Sequence, residues 1–189
     1  KIQNSGYMPA VLKGIELQNA EIQAIVDNPE APDFENTVAA FDRSGLVLEK
    51  VCNVLFNLSE SDYTEELNAI VEEATTIVSE HSDNLMMNPG LFARVKAVYE
   101  ADRSGLDREQ QMLLKDLYEG FIKNGIGLDE QSQARLREIN SELSKLVLSF
   151  GNNLLAENNL YLERFGSSIS QYPDVMASTE DRDLRRQMF

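Results

Sequence analysis

The residues with the most chemical reach are few. His81 is the sole histidine and Cys52 the sole cysteine in 189 residues. A catalytic zinc site needs three protein ligands, and the H-E-x-x-H pattern of metallopeptidases needs two histidines one helical turn apart. One histidine supplies neither, and the same count excludes a di-iron centre built from two Glu-x-x-His pairs. His81 could act as a ligand or a base, but it falls on an apolar helical stripe, where a packed, hydrogen-bonded imidazole is the simpler reading. Cys52 lies between Leu48 and Leu55 on a second stripe with no histidine near it in sequence. It reads as a small buried hydrophobe rather than a nucleophile.

The other reactive groups are similarly unassembled. Glu65, Glu66, Glu72, Glu73 and Glu80 give one predicted helix an acidic side. No D-x-D-x-D-G loop accompanies them, so a solvated face is expected rather than a calcium site. Tyr7, Tyr63, Tyr99, Tyr118, Tyr161 and Tyr172 would hydrogen-bond a peptide backbone only if they lined a groove; as a set they read as boundary residues. Arg182, Arg185 and Arg186 form a local basic group that could grip a carboxylate, or simply pair with an acidic chain. No phosphate loop and no serine-nucleophile motif is present. The residues themselves therefore assign no catalytic, cofactor-binding or metal position.

Charge narrows the partners. A formal charge of -15 repels phosphate, and with no basic stripe a nucleic-acid partner is not expected. No apolar run approaches the length that spans a bilayer, and KIQNSGYMPA lacks the apolar centre of a secretion signal. A soluble, cytoplasmic protein is the expectation, with the periplasm or secretion left open if a signal preceded Lys1. A single cysteine suits a reducing compartment.

Helices must position all of these residues. Pro29 and Pro32 forbid a continuous helix across the segment they share, because each removes a backbone donor and restricts its predecessor. Before that corner, Val11, Ile15, Ile22, Ile25 and Val26 predict a helix from about Ser5 to Asn28, with Glu16, Gln18, Glu21 and Gln23 facing outward. After it, Phe34, Val38, Phe41, Gly45, Leu48, Cys52 and Leu55 recur at steps of four and three. That rhythm predicts one helix of about seven turns, capped by Asp33. A third helix is expected from about Thr64 to Met87 on Leu67, Ile70, Ala74, Ile77, His81 and Leu85. A fourth, shorter one carries Leu91, Val95 and Val98, and a fifth, capped by Asp107, carries Leu114, Leu117, Phe121 and Ile122.

Gly125 and Gly127 break the chain before the longest pattern, from Asp129 to about Asn158. There Leu136, Ile139, Leu143, Leu146, Phe150 and Leu154 make a seam expected to be a core scaffold, at roughly 1.5 to 3 kcal/mol per large apolar side chain buried. Beyond it, Asn158, Asn159, Gly166 and two serines suggest a loop, Leu160–Phe165 a short strand or helical turn, and Glu180–Phe189 a basic helix. The fold class is all-α, an antiparallel multi-helix array. Residues 1–158 form a helical region, and residues 159–189 form a loop plus basic helix out of continuity with it.

The ordered motifs go further than the periodicity. Asp27–Pro32 (DNPEAP), Phe34–Thr37, Asp42–Gly45, Val54–Leu58, His81–Asp83, Asn88–Glu100 (NPGLFARVKAVYE) and Leu136–Glu157 occur in sequence. Together they resemble the amino-terminal helical region of the thimet oligopeptidase family of zinc metallopeptidases, and within it the bacterial peptidyl-dipeptidase branch. The likeness covers about Ile2 to Asn158. Asp181–Phe189 (DRDLRRQMF) is similar to a helix that lies further along those proteins, so a piece near Asn158–Ser168 is expected to be absent. Neither Lys1 nor Phe189 reads as a natural terminus.

The resemblance implies a zinc peptidase in the full-length protein, with zinc polarising the scissile carbonyl and lowering the pKa of its water. It also implies that helices like these form one wall of a channel admitting short peptides. The partners implied are short peptides and the missing catalytic part of the same chain. The zinc-binding helix has no counterpart in these 189 residues, so the chain is expected to bind no zinc and to be inactive alone. The alternative is a free-standing acidic helical adaptor that holds a partner helix in an apolar groove.

Overall fold

A computed structural model describes residues 3–61 and 64–170. The expected basic helix with Arg182, Arg185 and Arg186, together with Tyr63 and Tyr172, lies outside the described residues. Among those described there is no strand, and the architecture is an all-α multi-helix array. No described helix is long and apolar enough to cross a membrane.

After a single 3-10 turn at Asn4–Gly6, helix α1 spans Tyr7–Val26 and tolerates Pro9 within its first turn. The proline corner follows. Asp33 then caps the next element reciprocally: its carboxylate accepts from the Asn36 N–H at 2.7 Å, while Asn36 Oδ1 accepts from the Asp33 N–H at 3.0 Å. Phe34–Ala39 is wound as a π-helix and runs into the single α turn α2, Ala40–Asp42.

Here the structure corrects the expected seven-turn helix. The chain turns at Arg43–Gly45 and restarts as α3, Leu46–Ser61. Gly45 adopts a φ of 75°, a left-handed angle that only glycine takes at little cost. The four-and-three rhythm passes straight through Gly45 because the glycine is itself buried on the seam. Periodicity therefore could not reveal the break.

Helix α4 is Glu65–Met86, capped by Thr64; α5 is Pro89–Glu100, capped by Asn88 with proline in its first turn. Helix α6 is Arg108–Lys123, where Asp107 and Gln110 form a second capping box. Helix α7 runs from Glu130 to Ser170, well past the expected end near Asn158. Asparagine and glycine are weak breakers, a glycine costing about 1 kcal/mol against alanine inside a helix. The next proline is Pro173.

The chain divides into two compact units between Lys145 and Leu146. In the first, α1 packs on α3, α4 and α5, and α5 packs on α6. Gly14 brings α1 onto the backbone of α3: a β-carbon there would lie 2.8 Å from Leu48 Cα. The core gathers Ile22, Ile25, Val38, Leu85, Leu91, Val95, Val98, Leu114 and Phe121. In the second unit, the described large apolar side chains of the α7 seam are exposed. Leu146 is 66% exposed, Phe150 69% and Leu154 52%, which overturns the expectation of a core scaffold. Even within the first unit, Ile139 and Leu143 are exposed.

Candidate functional site

The polar groups buried in the first unit fall into three clusters. The first surrounds the proline corner. Arg94 stands one turn from Leu91 and Val98 on the apolar face of α5, and is 8% exposed. One of its terminal nitrogens donates to the carbonyls of Asn28 at 2.9 Å and Glu30 at 3.2 Å; the other donates to Asn36 Oδ1 at 2.9 Å. Asn36 Oδ1 also accepts from the Asp33 N–H and from Thr37 Oγ1, and its amide donates to the Ala31 carbonyl at 2.9 Å. A buried guanidinium thus satisfies carbonyls that Pro29 and Pro32 leave without a helix, joining DNPEAPDFENT to NPGLFARVK. Its Nε, buried, has no hydrogen-bond partner. Sequence reading missed this residue, although a lone cation among Leu91, Val95 and Val98 was the available signal.

The second cluster holds the histidine. His81 is 6% exposed, and its Nε2 lies 2.8 Å from Gln18 Oε1, so the neutral ring donates to that amide. Burial holds its pKa below the ordinary imidazole value, which keeps the ring uncharged. The Gln18 amide nitrogen reaches Ser44 Oγ at 3.4 Å, and Glu21 accepts from the Gly45 N–H at 2.7 Å. Gln18, expected to face outward, is instead half-buried where the chain turns. These contacts tie α1 to α4 and to the Arg43–Gly45 break, which is the packed role expected for His81.

The third cluster joins α4 to the first part of α7. Asp83 accepts from the Asn140 amide at 2.8 Å, Asn84 Oδ1 from Arg137 at 3.3 Å, and the hydroxyls of Ser79 and Ser144 meet at 3.1 Å. Helix α7 therefore docks through polar groups here, which leaves Ile139 and Leu143 turned away.

None of this is a catalytic arrangement. Cys52 is half-buried, and burial raises the pKa of its thiol, so the nucleophilic thiolate is disfavoured. Glu65, Glu66, Glu72 and Glu73 are exposed and unassembled. Tyr99 and Tyr118 stack on one another, with ring centres 4.1 Å apart. No three His, Cys, Asp or Glu side chains converge as a metal site among the described residues. With its one histidine committed to Gln18, the donor set does not fit a catalytic zinc.

Sequence comparison supplies what the geometry lacks. The chain is 36% identical over 157 residues to dipeptidyl carboxypeptidase of Salmonella typhimurium, a match covering 82% of this chain and 23% of that protein. It is 35% identical over 159 residues to the Escherichia coli dipeptidyl carboxypeptidase, covering 84% and 23%. The chain is a relative of the thimet oligopeptidases. The matched part is their amino-terminal region, and the chain spans about a quarter of the length of these relatives. Oligopeptidase A of Haemophilus influenzae is 24% identical over 221 aligned positions that take in the whole chain and 32% of that protein. Against 189 residues here, at least 32 of those positions have no counterpart in this chain. No family model matches.

Proposed function

We propose that these helices are the amino-terminal wall of a zinc peptidase of the peptidyl-dipeptidase type, restricting its channel to short peptides. The relationship to dipeptidyl carboxypeptidase carries this reading. The wall contributes selection by size, while zinc, the attacking water and the proton-accepting glutamate belong to a catalytic part that these residues do not contain. Alone, the chain hydrolyses nothing. In the cytoplasm its partners are that catalytic part and the short peptides passing along it.

Two features of the molecule agree with this role. Arg94 clamps the proline corner rigidly onto α5, as a wall requires. The seam of α7 is apolar and bare, as expected of a surface that a larger enzyme covers. The at least 32 aligned positions without a counterpart here provide candidate material for that cover. The bare seam equally suits an acidic adaptor holding a partner helix, and the parent reading frame separates the two. A frame that continues past Phe189 into an H-E-x-x-H helix supports the peptidase, whereas a stop codon there supports the adaptor. Assay of the 189-residue chain on short peptides tests the claim of inactivity. No turnover is expected, and turnover abolished by a chelator overturns it.

A further inference from the structure

Where the loop after α5 meets the start of α6, Arg103, Arg108 and Lys115 line one groove in an acidic chain, and Arg103 is held in place there. Arg103 lies over the Tyr99 ring, its guanidinium carbon 4.6 Å from the ring centre. Tyr99 stacks on Tyr118 at 4.1 Å with the rings 6° apart; Tyr118 meets Phe92 at 5.7 Å, and Phe92 meets the fully buried Phe121 at 5.5 Å. The guanidinium therefore caps an aromatic column rooted in the core. The loop beneath is pinned as well. Asp102 accepts from the Ser104 N–H and hydroxyl, both at 3.0 Å, and the Gln111 amide donates to the Leu106 carbonyl at 2.8 Å and to that of Arg103 at 3.4 Å.

Arg103, Ser104, Arg108, Gln111, Met112 and Lys115 line an open groove of about 440 Å³. Among the described residues neither Arg103 nor Arg108 has a carboxylate within ion-pair distance, whereas Lys115 shares Glu119 with Lys123. Asp102 accepts from Ser104 and Asp107 from the first turn of α6, and the groove lining itself includes no carboxylate. We propose that this groove binds an acidic peptide segment, its carboxylate gripped by Arg103 and Arg108 and an adjoining small or apolar residue resting on Met112. Two guanidinium forks match a carboxylate bidentately, and the methionine gives the groove an apolar wall that a bare anion would not use. The charge of -15 turns acidic ligands away elsewhere and screening confines that long-range repulsion to about 10 Å at 0.1 M salt, while the groove lining itself carries Arg103, Arg108 and Lys115 and no carboxylate. The proposal does not rest on the peptidase reading.

The test is fluorescence anisotropy of a fluorescein-labelled hexapeptide alternating glutamate and alanine, titrated with the full 189-residue chain at low and moderate salt. Binding is expected to weaken with salt, to fall about tenfold in Arg103→Gln/Arg108→Gln, and to be unchanged in Lys50→Gln, a control at an exposed cation elsewhere. Circular dichroism of each variant reports that the helices remain intact. Several results would overturn the proposal: no binding, equal weakening by the Lys50 control, equal binding of the glutamine-for-glutamate peptide, or displacement by inorganic phosphate at matched concentration. Light scattering that shows self-association abolished by the double variant would also overturn it, in favour of a second copy as the occupant.

Discussion

Helices α5 and α7 carry apolar residues at the same three-and-four spacing, yet one is interior and the other is not. On α5, Leu91 and Val95 are fully buried and Val98 nearly so, and even the cation on that face is enclosed. On α7, Leu146, Val147 and Phe150 are each more than 60% exposed. The difference lies in what the neighbours offer. The corner before α2 presents carbonyls to Arg94, and α6 presents Leu114 and Phe121 to the apolar face. What α4 offers the first part of α7, at Arg137, Asn140 and Ser144, is a row of polar groups, Ser79, Asp83 and Asn84, and there Ile139 and Leu143 stay exposed. An apolar stripe states that burial is required; it does not state that the same chain supplies the cover.

The comparison breaks most severely at the root of the aromatic column. Phe121→Ala is expected to cost about 3 to 5 kcal/mol, since the ring is fully buried among Phe41, Phe92 and the α5 side chains. Denaturant unfolding of the whole chain measures it. Arg94→Met comes next, at about 3 kcal/mol, because it strands the Asn28 and Glu30 carbonyls and leaves Asn36 Oδ1 without its charged donor. A loss below about 1 kcal/mol would mean that water replaces the guanidinium, and the corner would then not depend on α5. Gly14→Ala is expected to cost about 1 to 3 kcal/mol, because its β-carbon meets the Leu48 backbone rather than a side-chain tip that can swing aside.

The His81 contribution is smaller and depends on pH. Burial lowers the folded-state pKa below the unfolded value, so the unfolded chain binds more protons on acidification. Stability from this group is complete above the unfolded pKa near 6.5, and is lost as pH falls through the lower folded pKa. Many carboxylates also titrate below that range, so the relevant measurement is a difference. The stability of the parent minus that of His81→Gln should shrink as pH falls from 7.5 to 5.5; a difference that stays constant would show that folding leaves the imidazole pKa unchanged, and one that grows would show that the fold favours the charged ring.

How far the sequence reached depends on the kind of interaction involved. Helix caps are local, and Asp33 and Asp107 were legible because each bonds a residue three positions away. The break at Gly45 was hidden because a buried glycine satisfies an apolar rhythm while its φ ends the helix. Arg94 and Gln18 act across 58 to 66 residues of chain, and no local pattern encodes such a partner. The resemblance to a peptidase came from ordered motifs, and the structure shows what three of them do: Asp27–Pro32 and Phe34–Thr37 form one side of the Arg94 clamp and Asn88–Glu100 the other. The bare face of α7 was illegible because the seam is identical whether or not something covers it.

That face gives the smallest effect on stability, and its near-absence sharpens the contrast most. Leu146→Ala and Phe150→Ala remove side chains that are already two-thirds exposed, so each should change unfolding free energy by no more than about 0.5 kcal/mol. The same changes on a seam that served as scaffold would cost about 2 to 5 kcal/mol. Sedimentation supplies the complementary reading. An apolar face in water associates, so the parent chain is expected to self-associate with rising concentration, and Leu146→Glu/Phe150→Glu to remain monomeric. If the alanine variants instead unfold the chain, α7 is covered in solution by its own residues, and the distinction between a closed core around α5 and an open seam on α7 fails.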